Sequence, residues 1–267
     1  MQQQGRPNEQ VTGGLGEAWA IFSSALRIRS DPLGFCRRAA KGIVRYLVGR
    51  RIELKGARLL DVGTGGGCVA EALRVVGAEV VALDVRDYRL EGVARTRFAL
   101  GRGESLPFAE GTFDVVVSSN VLEHVPDSRG AVAELARVCR PGGHVYLSWT
   151  NWFSPLGGHE MSPFHYLGPR LAVRMYRALR RKAPANLPGR NLFAVNVGSV
   201  LRQLRGGPLD VLEVAPRYWP SLRILGRVPG LREVAMWNCV ILLEKHPLKQ
   251  TTAGFGEGAS QGTLPAS

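Results

Sequence analysis

Leu59-Leu60-Asp61-Val62-Gly63-Thr64-Gly65-Gly66-Gly67 is the stretch that decides the fold of this chain. An apolar run ends in a carboxylate and then breaks into a glycine-rich turn. The apolar residues predict a buried parallel strand, and the alternating glycines tolerate the positive φ angles of a tight turn. A helix is expected to follow, from Cys68 to Val76. Its first N–H groups would face the polar end of a ligand.

A second predicted strand, Glu79 to Asp84, also ends in an acid. Asp84 lies 17 residues after Gly67, close to the separation of about 20 residues at which nucleotide-binding units place a carboxylate for the ribose hydroxyls. The turn is therefore predicted to bind a cofactor that contains a nucleoside.

Two cofactor classes use such a unit. The dinucleotide pattern G-x-G-x-x-G, started at Gly63, meets Cys68 where its third glycine belongs, and a later register ending at Ala70 fits the G-x-G-x-x-A variant weakly. The acid two residues before the first glycine favours the other class. D-x-G-x-G-x-G resembles motif I of the class I S-adenosylmethionine (SAM) methyltransferases. In that family the acid lies near the methionine amino group, and the first two glycines line the cofactor.

Later motifs extend this resemblance over residues 55 to 150. The segments 103–108 (GESLPF) and 113–125 (FDVVVSSNVLEHV) are similar to the ends of strands three and four in the quinone-biosynthesis-like methyltransferases of type 11. The run 140–143 (RPGG) precedes the predicted fifth strand. From Asn151 onward the chain resembles a less characterised bacterial subgroup of the same superfamily.

One residue departs from the family pattern. The family motif G-D-A-E-x-L-P-F supplies an aspartate to the adenine amino group, and Arg102 stands at that position here. The Gly103 backbone and Glu104 are then left to hold the base.

The resemblance implies a SAM site at the carboxyl ends of the first four strands. Asp84 would bind the ribose, and the backbone at Asn120 would approach the sulfonium. The predicted cofactor-binding residues are Asp61, Val62, Gly63, Thr64, Gly65, Gly67, Asp84, Val85, Gly103, Glu104 and Asn120. No metal site is expected.

The expected fold is α/β: a Rossmann-like, seven-stranded, mostly parallel sheet with helices on both faces, a helical N-terminal cap and an insertion after strand five. The predicted strands are Arg58 to Val62, Glu79 to Asp84, Arg97 to Leu100, Thr112 to Ser118, His144 to Trp149, Val211 to Val214 and Asn238 to Glu244. The predicted regions are a disordered tail (1–16), a helical cap (17–54), the SAM-binding core (55–150), a substrate-side insertion (151–205), C-terminal strands that complete the sheet (206–248) and a second disordered tail (249–267).

Hydrophobic periodicity predicts the helices around this core. Glu17 to Leu26 and Phe35 to Val48 are expected to cover the cofactor end of the sheet as a lid. Ser128 to Val138 is the clearest helix, because its apolar residues recur on one face.

Composition is consistent with one catalytic domain. The 267 residues include four cysteines with no C-x-x-C pair, so the sequence suggests neither a zinc site nor a disulfide framework. No apolar run approaches the roughly 18 residues of a membrane-spanning helix. We expect a cytoplasmic protein, in a reducing compartment.

The net charge of +13 is partly concentrated in residues 169–182, which contain no acid. A helix over this segment would carry a basic stripe of Arg170, Arg174, Arg177 and Arg181, with Leu171, Ala172, Met175, Tyr176 and Leu179 on the opposing apolar side. A core-packed helix with a solvated face is one reading. Peripheral contact with an anionic membrane is a second. Nucleic-acid binding is a third, on charge alone.

Methyl transfer from a sulfonium needs a base only if the nucleophile keeps its proton. Candidates for this catalytic role are His159, Glu160 and His165 in the insertion and His124 after strand four. Each has an alternative structural role, as a partner of loop backbone or of an arginine.

Three function classes remain open from the sequence. The first is a methyltransferase acting on an oxygen, nitrogen or carbon atom of a small-molecule or lipid-linked acceptor. The second is a nucleic-acid methyltransferase, although the end of strand four lacks the N-P-P-Y type of motif. The third is a SAM-binding protein without turnover, which Arg102 keeps open.

Overall fold

A computed structural model of the chain describes residues 31–247. These residues form a seven-stranded sheet in the order β3-β2-β1-β4-β5-β7-β6. The strands β1 to β5 pair in parallel, and β7 is antiparallel to both of its neighbours, so that β6 runs in the same direction as the first five. The strands are β1 (Arg58–Val62), β2 (Glu79–Asp84), β3 (Arg97–Leu100), β4 (Phe113–Ser119), β5 (Cys139–Thr150), β6 (Leu209–Pro216) and β7 (Asn238–Lys245). The predicted Rossmann-like fold class is confirmed.

Seven α-helices lie in the described part of the chain: α1 (Pro32–Gly49), α2 (Cys68–Val75), α3 (Ser128–Val138), α4 (Pro169–Arg180), α5 (Val197–Leu204), α6 (Ile224–Arg227) and α7 (Leu231–Ala235). Short 3-10 turns cover Leu122–His124, His159–Met161, Phe164–Leu167 and Pro220–Leu222. Helix starts follow local chemistry. The carboxylate of Asp31 accepts the N–H of Gly34 at 2.8 Å, and Asn196 and Ser199 form a reciprocal capping pair at the start of α5.

Two apolar layers enclose the sheet, because successive side chains of a strand point to opposite faces. Leu59 of β1 packs with α1 and α2, whereas Leu60 packs with α3 and α5. Both leucines are fully buried. The central strands are therefore covered on both faces, and a ligand can reach them only at their ends.

The helix α1 covers a face of the sheet rather than the cofactor edge. Its residues Ile43, Tyr46 and Leu47 are buried against β1 and α2, so the expected lid is wrong for this helix. Only its first turns approach the glycine-rich turn. The predicted helix Glu17 to Leu26 and the predicted tails, 1–16 and 249–267, lie outside the described residues.

The strand β5 begins five residues earlier than the sequence predicts. Cys139 pairs with Phe113, and the pairing then shifts register before Val115 meets His144. The RPGG run is therefore an irregularity inside the strand rather than a turn before it. A register shift of this kind accommodates extra residues without ending the strand.

Two of the four cysteines form a disulfide, which the sequence did not suggest. Cys36 of α1 bonds to Cys68 of α2, with Cα atoms 5.7 Å apart. The bond joins residues 32 positions apart, so only the packing of α1 on α2 reveals the pair. Cys139 and Cys239 are free and buried.

The insertion after β5 is anchored along the carboxyl edge of the sheet. The Trp152 N–H donates to Val195 O at 3.0 Å, and the Phe193 N–H donates to Glu123 O at 2.8 Å. A small apolar cluster holds the insertion together, formed by Met161, Ala172, Tyr176 and Leu192. Within residues 31–247, no helix combines the length and apolar character needed to cross a membrane.

Candidate active site

The glycine-rich turn after β1 requires its glycines for different physical reasons. Gly63 has φ +70°, and a Cβ there would overlap the side chain of Val121. Gly67 has φ +82° and caps α2. Gly65 has φ +48°, and a Cβ there would meet nothing closer than Gly63 O at 4.0 Å. The space in front of Gly65 is therefore open, as a bound ligand requires.

Asp61 lies at the end of β1, directly behind this turn. Its side chain is buried and accepts a hydrogen bond from Thr64 Oγ1 at 2.7 Å. Burial raises the pKa of Asp61 to about 6. A cation placed nearby would favour the ionised form, so the site is suited to a ligand ammonium group. Val62 is also buried, which leaves only its backbone for a ligand.

Asp84 ends β2 beside the same turn. Its carboxylate accepts the Gly65 N–H at 2.9 Å and the Val85 N–H at 2.7 Å. Each oxygen retains a second lone pair for a hydroxyl donor. Val85 is exposed next to it. Asp84 thus fixes the turn and can still accept hydrogen bonds from a ribose.

The segment after β3 places Gly103 and Glu104 beside the turn that follows β4. A Cβ at Gly103 would meet Val125 at 3.7 Å. The Arg102 side chain is 69% exposed, and its guanidinium lies 3.9 Å from the Glu104 carboxylate. Arg102 therefore extends toward solvent, and Glu104 is the acid nearest to it.

Asn120 follows β4 with a left-handed backbone, φ +57°. Its N–H donates to Ser148 O at 2.8 Å. Its side-chain oxygen accepts hydrogen bonds from Asn238 Nδ2 at 2.8 Å and from Arg217 at 3.1 Å. These contacts tie Asn120 to β5 and β7 and hold the backbone of the β4 turn.

Two of the four candidate catalytic residues meet. The rings of His124 and His159 pack edge to face, with centroids 5.2 Å apart. Burial lowers the pKa of His159 below the ordinary value for histidine; the charge of Glu123 opposes this shift, and His124 adds to it. His159 is therefore neutral at pH 7 and keeps a lone pair for a proton.

The other two candidates have structural roles. Glu160 accepts hydrogen bonds from the backbone and the side chain of Asn186, at 2.8 and 2.7 Å. Although burial raises the pKa of the Glu160 carboxyl, these bonds outweigh it and hold the pKa below its usual value. His165 is buried, and its Nε2 lies 3.1 Å from Trp152 O. Both residues stabilise the insertion, and neither stands beside the His124–His159 pair as a free base.

Comparison with known proteins identifies the family. A family model described as a methyltransferase domain matches residues 60–147. An uncharacterised methyltransferase of Mycolicibacterium vanbaalenii is 40% identical over 196 residues, which cover 70% of this chain and 76% of that protein. The chain belongs to the methyltransferase family. SAM is the cofactor of this family, as the sequence resemblance implied.

Solved structures agree on the fold of this methyltransferase. A SAM-dependent methyltransferase from Mesorhizobium loti has a TM-score of 0.53 and 20% identity, covering 75% of this chain and 96% of that one. The [4+2]-cyclase SpnF has a TM-score of 0.50 and 17% identity, covering 77% of this chain and 81% of that one. Because the same fold carries a cyclase, the reaction has to be argued from the site.

The residues of this methyltransferase fit SAM at the glycine-rich turn. A Cβ at Gly65 would meet no atom closer than 4.0 Å, and the Asp84 carboxylate accepts the N–H of this glycine. As carboxylates, Asp61 and Asp84 have the chemistry that the ammonium group and the ribose hydroxyls of SAM require.

Sequence reasoning missed Glu123. Its side chain is 1% exposed, and its Oε1 accepts the Thr150 N–H at 2.9 Å. One signal pointed to it: a carboxylate directly before His124 in a short loop after a buried strand. The residue that completes the group, His159, lies 36 residues after Glu123, and no local pattern joins the two.

Proposed function

We propose that this methyltransferase moves the methyl group of SAM to an oxygen, nitrogen or carbon atom of a small-molecule or lipid-linked acceptor, by in-line displacement. One observation carries the proposal: the His124–His159 pair and the glycine-rich turn lie on the same edge of the sheet. Val121, three residues before His124, fills the space over Gly63. A nucleophile held near the histidines is thereby adjacent to the cofactor turn.

The cofactor would be held by residues of the first three strand ends. Asp61 would face its ammonium group, Asp84 its ribose hydroxyls, and the backbone at Gly103 together with Glu104 its adenine. When bound, SAM supplies a methyl group that is already activated by the sulfonium. The protein's main task is therefore positioning, which can contribute up to about 7–11 kcal/mol.

The acceptor side contributes a group that takes up a proton. The Nδ1 of His124 lies 2.8 Å from Asn191 O, and a carbonyl oxygen only accepts hydrogen bonds. Nδ1 therefore carries a hydrogen, so in the neutral ring the lone pair is on Nε2. His159 is neutral at pH 7 for the reason given above. The pair can remove the proton of an acceptor hydroxyl or amine.

The exposed surface next to this site favours a lipid-linked acceptor within the proposal. Leu171 and Leu179 of α4 are 44% and 65% exposed, so the apolar side predicted for this helix is buried only in part. Arg170, Arg174, Arg177 and Arg181 are exposed around them. Apolar side chains among arginines suit the surface of an anionic membrane. We propose peripheral contact of α4 with such a surface.

The exposure of Arg102 supports SAM binding despite the departure from the family motif. Its side chain extends toward solvent beside Glu104, so the arginine leaves the space over Gly103 open. Arg102 replaces the aspartate of the family pattern, and Glu104 remains as an acid that can reach the adenine.

The experiment is a methyl-transfer assay with radiolabelled SAM and fractionated extracts as acceptors. We expect label to enter a lipid-soluble or small-molecule fraction with wild-type protein and to fall strongly with His159→Gln. His246→Gln is the matched control, because His246 pairs with Asp210 at the far end of the sheet. Label that appears only in nucleic acid, or equal transfer by both variants, would overturn the proposal.

A further inference from the structure

Three side chains with metal-binding atoms converge on the acceptor side of the site. Glu123, His124 and His159 each offer one ligand atom, and these atoms all lie within 4.8 Å of one another. The first two belong to the turn after β4, and the third belongs to the insertion. The cluster therefore brings together two segments that the sequence keeps apart.

One carboxylate oxygen of Glu123 is buried without a partner. Its side chain is 1% exposed, and although Oε1 accepts the Thr150 N–H, Oε2 is buried with no hydrogen-bond partner. A buried carboxylate oxygen without a partner is unfavourable. The Arg217 guanidinium, whose pKa the charge of Glu123 helps to raise, donates to Asn120 and not to the Glu123 carboxylate. No ion pair to Glu123 is present among residues 31–247.

Both histidines are oriented as metal ligands usually are. A ligating histidine commonly donates its second ring N–H to a backbone carbonyl, which fixes the ring. His124 Nδ1 lies 2.8 Å from Asn191 O, and His159 Nδ1 lies 3.4 Å from Gly157 O. His159 also has a left-handed backbone, φ +53°, a conformation that non-glycine residues adopt mainly where the surroundings impose it.

From these contacts we infer that Glu123, His124 and His159 form a binding site for one divalent transition-metal ion, which also binds the oxygen of the acceptor. Two imidazoles and one carboxylate are the ligand set of catalytic zinc and of non-haem iron sites. Ligands of a tetrahedral zinc ion, bound at about 2.0–2.1 Å, lie about 3.4 Å apart. The observed cluster reaches that spacing if its atoms approach one another by about 1.4 Å at most.

The inference rests on the proposed function and narrows its acceptor to a compound with an ionisable hydroxyl group. Three protein ligands leave positions open on the ion for this oxygen. A bound metal ion lowers the pKa of the hydroxyl, so its proton leaves to solvent water. The oxygen then forms a bond to the methyl carbon while the sulfur–methyl bond breaks, and the bonding pair remains on sulfur. With the ion bound, the two histidines hold the metal and do not accept the proton themselves; the ion takes over their role in the deprotonation.

The test is calorimetric titration of the tag-free, chelator-stripped full chain with ZnCl₂, followed by visible absorption with CoCl₂. We expect one Zn²⁺ per chain and a cobalt spectrum without thiolate bands. We expect zinc affinity to fall at least about 100-fold in each of Glu123→Gln, His124→Gln and His159→Gln. Substitution of a residue that only supports a ligand lowers metal affinity about 10–100-fold, and loss of a ligand itself should cost more.

Two matched variants control for local disturbance. Glu160→Gln removes the neighbouring carboxylate, and His246→Gln removes a distant imidazole; both should bind zinc as the wild type does. The unfolding midpoint of each variant without metal confirms that it is folded. Absence of zinc binding by the wild type, or unchanged binding by all three cluster variants, would overturn the inference.

The same instrument separates this inference from the proposed function. S-adenosylhomocysteine binding with no zinc binding would overturn the metal site alone. Zinc binding without S-adenosylhomocysteine binding would overturn the methyltransferase proposal and leave the metal site standing.

Discussion

The cofactor side and the acceptor side of this site are built in opposite ways. The proposed cofactor side uses backbone groups and side chains that each directly follow or end a strand, mostly from residues 61 to 84 with Gly103 and Glu104 added after β3. The acceptor side joins the β4 turn to an insertion that begins about 30 residues later. A local sequence motif can therefore predict the cofactor side, whereas the residues of the acceptor side come together only in the folded chain.

The two sides also differ in how their acids are satisfied. Asp84 accepts a backbone N–H on each oxygen. Glu123 accepts on one oxygen and leaves the other buried without a partner. The first arrangement is complete before a ligand arrives and needs only an added donor. The second is incomplete, and the inferred metal ion would complete it, so the two sides are tested by different ligands.

The largest effect is expected when the open space of the cofactor side is filled. Gly65→Trp should reduce S-adenosylhomocysteine affinity at least about 1,000-fold, or about 4 kcal/mol, because the indole occupies the ligand volume. Calorimetry measures the affinity. Gly206→Trp is the matched control, since Gly206 also has a positive φ with open space around it but lies in the turn after α5. If both variants bind equally well, the cofactor site lies elsewhere.

On the acceptor side, His159→Gln should lower kcat about 100-fold, the lower end of the effect of a proton-transferring group. Its S-adenosylhomocysteine affinity should stay unchanged, because His159 belongs to the other half of the site. Steady-state kinetics and calorimetry on the same preparation give both values. Equal losses of kcat and of cofactor affinity would show that the two sides are not separable.

The pH dependence of the wild type sharpens this result. Because burial lowers the pKa of His159, its proton-accepting form predominates at pH 7 in the metal-free enzyme and is lost as the pH falls further. In the metal-free enzyme, kcat/KM should therefore fall as the pH is lowered from 7 and show no inflection above pH 7. An inflection above pH 7 would contradict the neutral histidine.

Gly63 and Val121 form the contact between the two sides, and a substitution at Gly63 tests it. Gly63→Ala should destabilise the fold by about 2 kcal/mol, because its φ of +70° strains an alanine and the new methyl overlaps Val121. Adding Val121→Ala should remove the overlap but not the backbone strain. Denaturant unfolding of the single and double variants separates the free-energy cost of the overlap from that of the backbone strain. No recovery in the double variant would mean that Val121 does not join the two halves.

The smallest effect is expected at Asp61, where stability and binding should change in opposite directions. Its pKa is raised to about 6, so ionisation destabilises the fold as the pH rises from the unfolded value of 3.8 through 6. Asp61→Asn should therefore melt at a higher temperature than wild type at pH 7, and the difference should shrink as the pH approaches 4. Cofactor affinity should fall about tenfold, as a charged partner of the ammonium is lost.

Thermal unfolding at pH 4, 5, 6 and 7 measures the stability difference for Asp61→Asn, and calorimetry measures the affinity. A variant that is less stable than wild type at pH 7 would show that Asp61 supports the fold through its hydrogen bonds rather than straining it by its charge.

Much of the fold could be predicted because it depends on local periodicity. The bounds of β1, β2 and β3 follow from apolar runs that end at acids, glycines or turns. The start of β5 was missed, because its first residues pair through a register shift that a proline and two glycines conceal. The Cys36–Cys68 bond was missed for a related reason: it depends on how α1 packs on α2.

The candidate site also has residues that local sequence predicts and residues that depend on long-range contacts. Asp61, Gly65 and Asp84 were predicted to bind the cofactor; in the structure Asp84 accepts the Gly65 N–H, and Asp61 is buried under the same turn. Among the predicted bases, the sequence could not separate His159 from Glu160, its neighbour. In the structure Asn186 donates two hydrogen bonds to the Glu160 carboxylate, which separates Glu160 from His159 as a candidate base. Long-range partners of this kind leave no pattern in the sequence.

The most direct test of the central claim is calorimetric titration of the purified wild-type chain with S-adenosylhomocysteine, in parallel with NADH. The claim that the turn after β1 is a SAM site predicts micromolar binding of S-adenosylhomocysteine, about −8 kcal/mol, and no binding of NADH. Binding of NADH instead would make the later glycine register the correct one and the chain an oxidoreductase candidate. Binding of neither would contradict the assignment of the cofactor site.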